Sequence, residues 1–325
     1  MRLLKNIFTI EKNPRKGIIP LEWIILAYTL FTLAVYFIFR NEIPNSHAIL
    51  SLRIQAVAMM AGLWIVYRCI PCRFTFMLRC CLQMALLGSW YPDIYEFNRI
   101  FPNLDHVFAQ FEQNLFGCQP ALLFYDRLSH PIISELLSMG YVSYYFLMAI
   151  VAFYYFFSKY GQFEKTTFIL MFSFLTSYVI FIFLPVSGPQ FYFQMAGTEN
   201  ITAGIFPNLG HCFSQCQDCL PIIGWENGFF HHLLVTAHNA GERPIAAFPS
   251  SHVSVTLAVV ILAFKGNRKL GIIMLIFFML LTVSTVYVRA HYAIDAIAGI
   301  IWGAIAYFAG LGFWKVISGS INPTK

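Results

Sequence analysis

Long apolar runs separated by short polar links constrain the fold of this chain more than any other feature. Eight runs reach or approach the roughly 18 residues that mark a transmembrane candidate. They are 18–39, 48–66, 74–90, 132–157, 166–185, 251–264, 270–288 and 292–314. Charged residues make up only 11% of the chain, whereas soluble domains carry about 25%. The sequence therefore predicts an all-α integral membrane protein with about eight transmembrane helices.

The basic residues divide unequally between the two sides of the predicted membrane. The side of the N-terminus carries fourteen of them in its tails and loops. The other side carries five, which are Arg40, Arg99, Arg127, Arg243 and Arg289. By the positive-inside rule this bias predicts cytoplasmic tails at 1–17 and 316–325. It also accounts for the net charge of +6 without a nucleic-acid partner, because the charge follows the membrane topology.

Between the tails we expect one membrane domain, 18–315, in a plasma or inner membrane. Residues 91–131 mix aromatic and acidic residues at helical spacing, which predicts short interfacial helices broken at Gly117 and Pro120. We interpret Asp105 and His106 as part of such a helix rather than as a metal or catalytic site. The long segment 186–249 lacks periodicity and is expected to form a cap on the extracytoplasmic side.

Two arginines, Arg53 and Arg79, lie inside predicted spans. We expect them to snorkel to the interface or to form intramembrane ion pairs.

Four cysteines fall on the predicted extracytoplasmic side: Cys118, Cys212, Cys216 and Cys219. An oxidising compartment favours up to two disulfides among them, with no pairing specified. The rival interpretation is a metal site, because His211 and the three cysteines that follow it are ligand types at metal-like spacing.

The stretch Phe248-Pro249-Ser250-Ser251-His252 stands where a polar segment meets an apolar run. Proline suits a first helical turn, and a serine hydroxyl can cap the free amides there. Helix amides and the helix dipole attract anions such as phosphate. The stretch predicts a helix start with His252 beside a phosphate-sized site.

A second histidine, His291, opens the last apolar run, and Asp295 follows it by four residues, so the two share a helix face. The predicted topology brings His291 and His252 to the same extracytoplasmic face. These residue types predict phosphoryl transfer, with an imidazole nucleophile, a carboxylate that orients it and a second imidazole as proton donor.

The nearby groups suited to phosphate are the cations Arg289 and Arg243 and the donors Ser250 and Ser251. No metal or other cofactor is expected, because the one carboxylate of the motif region, Asp295, already orients His291. A two-metal site would need several free carboxylates.

Pro249-Ser-Ser-His252 followed by Ser284-Thr-x5-His291-x3-Asp295 resembles the last two motifs of the type-2 phosphatidic acid phosphatase superfamily, P-S-G-H and S-R-x5-H-x3-D. The resemblance implies a six-helix membrane core, a phosphohistidine at His291, orientation by Asp295 and acid catalysis by His252. Ser251 replaces the usual glycine and Thr285 the usual arginine. The first family motif, K-x6-R-P, has no proper counterpart, although Arg243-Pro244 supplies an R-P.

The form of residues 284–295 is similar to the fungal inositol phosphorylceramide synthases, and Gly188-Pro189 followed by aromatic residues fits the same branch. The implied partners are a lipid phosphate or phospholipid substrate and the bilayer. A phosphatase would pass the phosphohistidine to water, and a transferase would pass it to an alcohol. The alternatives from other classes are a polytopic transporter, which would show repeats and broken helices at mid-membrane, and an inactive scaffold of the same fold.

Overall fold

The computed structural model describes residues 6–128 and 130–321. Within these residues the chain forms α-helices with short 3-10 turns and no β-strand. The helices are α1 (Pro20–Phe39), α2 (Ser46–Cys69), α3 (Arg73–Met84), α4 (Leu86–Asn98), α5 (Asp105–Phe116), α6 (Pro120–Arg127), α7 (Pro131–Ser158), α8 (Phe163–Phe183), α9 (Pro189–Ala196), α10 (Thr198–Thr202), α11 (Phe229–Gly241), α12 (Ser251–Gly266), α13 (Arg268–Tyr287) and α14 (Ala293–Ile321). The predicted all-α membrane fold is confirmed.

Six helices in the described part of the chain are long and apolar enough to cross a membrane, namely α1, α2, α7, α8, α13 and α14. The prediction of about eight spans differs at two places. The sixth predicted span is the shorter helix α12, with 16 residues. The third is divided at Ala85 into α3 and α4. Gly88 and Pro92 follow this break, and both are poor formers of a helix interior.

Helix α12 lies at the centre of the site-bearing bundle, in contact with α7, α8, α13 and α14. Gly299 and Gly303 of α14 face its first turns. A Cβ at these positions would come within 2.8 Å of the Ser250 carbonyl oxygen and 2.6 Å of the Ser254 carbonyl oxygen. Small residues let membrane helices approach this closely. The close crossing brings the two predicted motifs together.

The two intramembrane arginines form buried ion pairs. Of the two expectations, ion pairing is therefore confirmed and snorkelling is not. Arg79 contacts both carboxylate oxygens of Glu22, at 2.7 and 2.6 Å. Arg53 pairs with Asp93 and also donates to the Thr32 hydroxyl. Each of the four charged side chains is at most 3% exposed. These pairs tie α1 to α3 and α2 to α4.

The two predicted tails fall partly outside the described residues. The predicted tail residues 1–5 and 322–325, which include Arg2, Lys5 and Lys325, lie outside the described residues. Nearer the bundle, the Arg15 guanidinium donates to Glu164 at 2.7 Å and lies over the Phe76 ring at 3.9 Å. The described end of the N-terminal tail therefore packs on the helices.

The segment 186–249 is more ordered than its lack of periodicity indicated, because it contains α9, α10 and α11, and α11 packs on α7. Its cysteines and Cys118 are free thiols, so the expected disulfides are absent from this structure. The Cys216 sulfur contacts the Met195 sulfur at 3.7 Å instead. The rival metal site is not formed either, since no group of three His, Cys, Asp or Glu side chains suited to a metal occurs among the described residues.

Candidate active site

The start of α12 is built as the sequence predicts. Ser250 is the N-cap residue, and its hydroxyl oxygen accepts from the Val253 amide at 3.4 Å. The Ser250 amide donates to the Asp295 carbonyl oxygen at 3.1 Å. One backbone bond therefore joins the two motifs directly.

The turn between α13 and α14 presents His291. Arg289 takes a left-handed conformation, with φ of 63°, and reverses the chain. The His291 amide then donates to the Thr285 carbonyl oxygen at 3.1 Å. Thr285, which stands where the resembled family has arginine, is fully buried and supports this turn through its backbone.

The two predicted histidines meet. Nε2 of His291 lies 3.4 Å from Nδ1 of His252, and Nδ1 of His291 lies 2.8 Å from the Ala247 carbonyl oxygen. A carbonyl oxygen only accepts, so this contact assigns the ring proton of His291 to Nδ1. Nε2 is left with its lone pair, which is the state a nucleophile needs.

Asp295 lies one turn from His291 but is not the nearest acceptor for its ring. The Asp295 carboxylate oxygen is 3.6 Å from Nδ1 of His291 and accepts from the Tyr292 amide at 2.8 Å. The Ala247 carbonyl therefore makes the shorter contact with the ring. Sequence reasoning missed Ala247, because a backbone acceptor leaves no signal in residue type.

His291 is buried, with 3% of its surface exposed. Burial lowers the pKa of His291 to about 4, although the Ala247 carbonyl and the Glu242 carboxylate both favour the protonated ring. The imidazole is thus neutral near pH 7. Its nucleophilic form needs no separate base to remove a proton.

Helix α5 contacts the far side of the catalytic turn through Asp105. One carboxylate oxygen of Asp105 accepts from the Gly188 amide at 2.9 Å and from the Tyr292 hydroxyl at 3.0 Å. The other accepts from the Ser187 amide at 2.7 Å and from the Asn103 side chain at 2.5 Å. Burial raises the pKa of Asp105 to about 6, although the four hydrogen-bond donors favour the charged carboxylate and act to lower it. Asp105 therefore positions the neighbour of His291.

Glu112 supports the same turn two helical turns further along α5. It is fully buried, and its carboxylate accepts from the Ile294 amide at 3.1 Å. Burial, together with nearby Asp295, raises the pKa of Glu112 to about 8. Asp105 and Glu112 are seven residues apart and share a helix face. This spacing indicates a buried acidic face, which the interpretation of α5 as an interfacial helix left out.

A cavity of about 730 Å³ opens beside the histidine pair. It is lined by His252 and Ser251 at one end and extends along α7 from Tyr141 to Phe153, which is about 18 Å at the helical rise per residue. The Tyr141 and Tyr144 rings pack on the His252 ring, with centroids 4.8 and 4.4 Å apart. The cavity therefore leads from His252, the ring partner of His291, towards the depth of the bundle.

The predicted phosphate-binding residues do not all reach this cavity. Ser251 lines it, whereas the Ser250 hydroxyl caps α12. Arg243 donates to the Gln217 side chain at 2.6 Å, and Arg289 reaches the Ala121 carbonyl oxygen at 3.4 Å. Neither arginine is among the cavity-lining residues.

Comparison with known proteins identifies the family of the chain. The family model described as the PAP2 superfamily matches residues 106–309, which is more than half of the chain. The match spans α5 from its second residue onward, both histidines and Asp295. Neither the curated proteins nor the solved structures contain a significant match. On the strength of the family match, the chain belongs to the PAP2 superfamily.

Proposed function

We propose that this protein is a membrane phosphohistidine enzyme that hydrolyses or transfers the phosphate or phospho-head group of a lipid. The observation that carries the proposal is the His291 ring, whose Nδ1 proton is bound by the Ala247 carbonyl while Nε2 faces His252 at the cavity. Membership of a superfamily of phosphoesterases supports the same reaction type.

In the first step, Nε2 of His291 attacks phosphorus and the bond from phosphorus to the leaving oxygen breaks. His252, protonated because the bound phosphate anion favours its charged ring, donates a proton to that oxygen, and the Ala247 carbonyl stabilises the charged ring of the phosphohistidine. In the second step, water or an alcohol attacks phosphorus and gives its proton to His252, and the bond between phosphorus and nitrogen breaks. The 3.4 Å contact of the two rings must open to admit the phosphoryl group.

The phosphate oxygens need donors in this scheme. Ser251 lines the cavity beside His252 in the first turn of α12, and the amides of a helix N-terminus suit an anion. Arg289 and Arg243 would have to leave the carbonyl and amide oxygens that they contact here before they could assist.

The cavity supports a lipid substrate. Its lining residues Ala85 and Gly88 on one side, and Tyr145 and Phe153 on the other, are themselves exposed on the helix bundle. The opening therefore lies between α7 and the helix break at Ala85, within the region expected to face the bilayer. An acyl chain can enter there laterally without passing through water.

The site is proposed to lie on the extracytoplasmic face, with both termini in the cytoplasm. The support is the charge bias, since Lys265, Arg268 and Lys269 lie at the end of α12 opposite His252. Cysteines introduced at Asn239 and at Lys269, both exposed, form a matched pair. In intact cells an impermeant maleimide should label position 239 and spare position 269, and the reverse pattern would reject this orientation.

The test of the reaction is lipid-product mass spectrometry with purified enzyme. The substrates are phosphatidic acid, isoprenoid diphosphates, and phosphatidylinositol with ceramide, and the last pair tests the inositol phosphotransferase branch. His291→Ala should lower turnover about 10³-fold or more, while His232→Ala, an exposed histidine outside the cavity, should not. A covalent phosphate on His291 should be trapped by acid-free quenching. Wild-type rates in folded His291→Ala would remove the nucleophile.

A further inference from the structure

The charge of the cavity is unusual for a site that handles phosphate. Among the described residues that line it there is one carboxylate, Glu242, and neither a lysine nor an arginine. A phosphate flanked by a carboxylate is repelled unless a positive charge lies between or beside them. The substrate itself is a natural source of that charge.

Glu242 follows α11 and enters the cavity from the cap segment. The Tyr91 hydroxyl donates to its carboxylate at 2.9 Å. This neutral donor does not balance a partly buried negative charge, and burial accordingly raises the pKa of the Glu242 carboxyl. A bound cation would offset that burial.

Five tyrosines line the cavity that the carboxylate enters. Tyr91, Tyr141 and Tyr145 all lie close enough to interact electrostatically with Glu242, and so does His291. Ammonium groups bind over such rings, and quaternary ammonium ligands are recognised by aromatic cages. A polyol such as inositol would instead need many hydrogen-bonding groups, and the remainder of the lining is mostly apolar.

We propose that Glu242 and these tyrosines bind the ammonium group of an amino-alcohol head group, so that the substrate is a phospholipid of the ethanolamine or choline type. The inference rests on the function proposed above and narrows its substrate. His291 attacks phosphorus, the bond to the glycerol oxygen of the lipid breaks, and His252 protonates that oxygen. The phospho-amino-alcohol remains on His291 until water or an alcohol takes it. The acyl chains occupy the deep part of the cavity along α7.

The test compares donors with identical acyl chains and different head groups: phosphatidylethanolamine, phosphatidylcholine, phosphatidylinositol and phosphatidic acid. Wild-type kcat/KM should be highest for the two amino-alcohol lipids. Glu242→Gln retains an oxygen for the Tyr91 hydroxyl but lacks the charge, and should lower the ratio of kcat/KM for phosphatidylethanolamine to that for phosphatidic acid about tenfold. Glu226→Gln removes an exposed carboxylate of the same cap segment and should leave the ratio unchanged.

A measurement on the wild type guards against misfolding of the variant. Soluble phosphocholine and phosphoethanolamine should inhibit more strongly than inositol phosphate. Activity that persists in folded His291→Ala would reject the proposed function itself. Activity that depends on His291 but favours phosphatidylinositol or phosphatidic acid, or that Glu242→Gln lowers equally for every lipid, would overturn the head-group assignment and leave the function standing.

Discussion

Two regions of this protein bury carboxylates, and they stabilise them differently. In the N-terminal helices Glu22 faces Arg79 and Asp93 faces Arg53. At the catalytic turn, Asp105 and Glu112 are equally buried, and the hydrogen-bond donors to them are backbone amides, a side-chain amide and a hydroxyl. The first arrangement fixes helices against each other. The second orients a turn of backbone and leaves the adjacent cavity without a fixed cation.

The difference shows which charges belong to the scaffold and which to the site. In a buried ion pair the two opposite charges neutralise each other, so the pair does not attract a ligand. Asp105, whose pKa of about 6 leaves it charged near pH 7 among neutral donors, keeps a negative potential beside the catalytic turn, which stabilises the positive ring of a phosphohistidine. Five predictions test this comparison.

The largest effect on stability is expected at the scaffold pair. Arg79→Met leaves Glu22 charged in a buried site and should cost about 3–5 kcal/mol. Replacement of both residues by methionine should recover most of that loss, because no uncompensated charge remains. Thermal unfolding in detergent measures both variants. Equal destabilisation by the single and double variants would show that the pair does not act through its charge.

At the catalytic turn, Asp105→Asn replaces one carboxylate oxygen by an NH2 group. At least two of the four groups that now donate to the carboxylate then face a donor instead of an acceptor. Each unsatisfied buried group costs about 1–3 kcal/mol, and displacement of Tyr292 should lower kcat more than it raises KM. Glu112→Gln is the matched control, because its amide oxygen can still accept from Ile294. The comparison fails if the two variants lose the same activity.

Glu112→Gln carries its own pH signature. The pKa of Glu112 is raised to about 8 in the folded protein from 4.5. Between these values the folded state binds a proton that the unfolded state lacks. The stability from this group is therefore full below about pH 4.5 and is lost as the pH rises through about 8. Wild type should lose stability over that range more steeply than Glu112→Gln, and parallel curves would contradict the burial of a protonated carboxyl.

Gly188 packs against Ala290 and Ala247, which flank the two histidine motifs. Substitution of Gly188 therefore tests how closely these segments must approach. Its φ is 89°, and a Cβ would come within 2.5 Å of the Ala290 carbonyl oxygen. Gly197 shares the left-handed conformation, with φ of 83°, but its nearest atom would be 3.6 Å away. Both alanine variants should lose about 1 kcal/mol of stability through strain. Gly188→Ala alone should displace His291 and lower kcat, and equal kcat values in the two variants would argue against a close packing requirement.

The smallest effect is expected from metal removal. Asp105, Glu112 and Asp295 each accept backbone or side-chain donors, and no metal-binding group of three side chains occurs in the described chain. Enzyme stripped with chelator should keep its full rate. A rate that disappears on stripping and returns with magnesium, while the fold remains intact, would overturn the phosphohistidine mechanism.

The sequence by itself determined the membrane class, the superfamily and the start of α12. These follow from local properties: run length, low charge, and the spacing of Ser250, His252, His291 and Asp295. It also predicted intramembrane pairing for Arg53 and Arg79, since a charge in a span needs a partner, but it did not identify Glu22 and Asp93 as those partners.

Tertiary structure decided what lies around those residues. The acceptor for His291 is the Ala247 carbonyl, and every residue carries a carbonyl, so composition cannot single it out. Asp105 and Glu112 reach the catalytic turn from a helix nearly two hundred residues away in the sequence. Arg243 and Arg289 contact oxygens of other segments instead of the cavity. Glu242 enters a cavity whose lining residues are spread along the chain from Cys81 to Ala290. Contacts across such distances depend on how helices cross, here on the close approach that Gly299 and Gly303 allow, and no spacing within one segment encodes them.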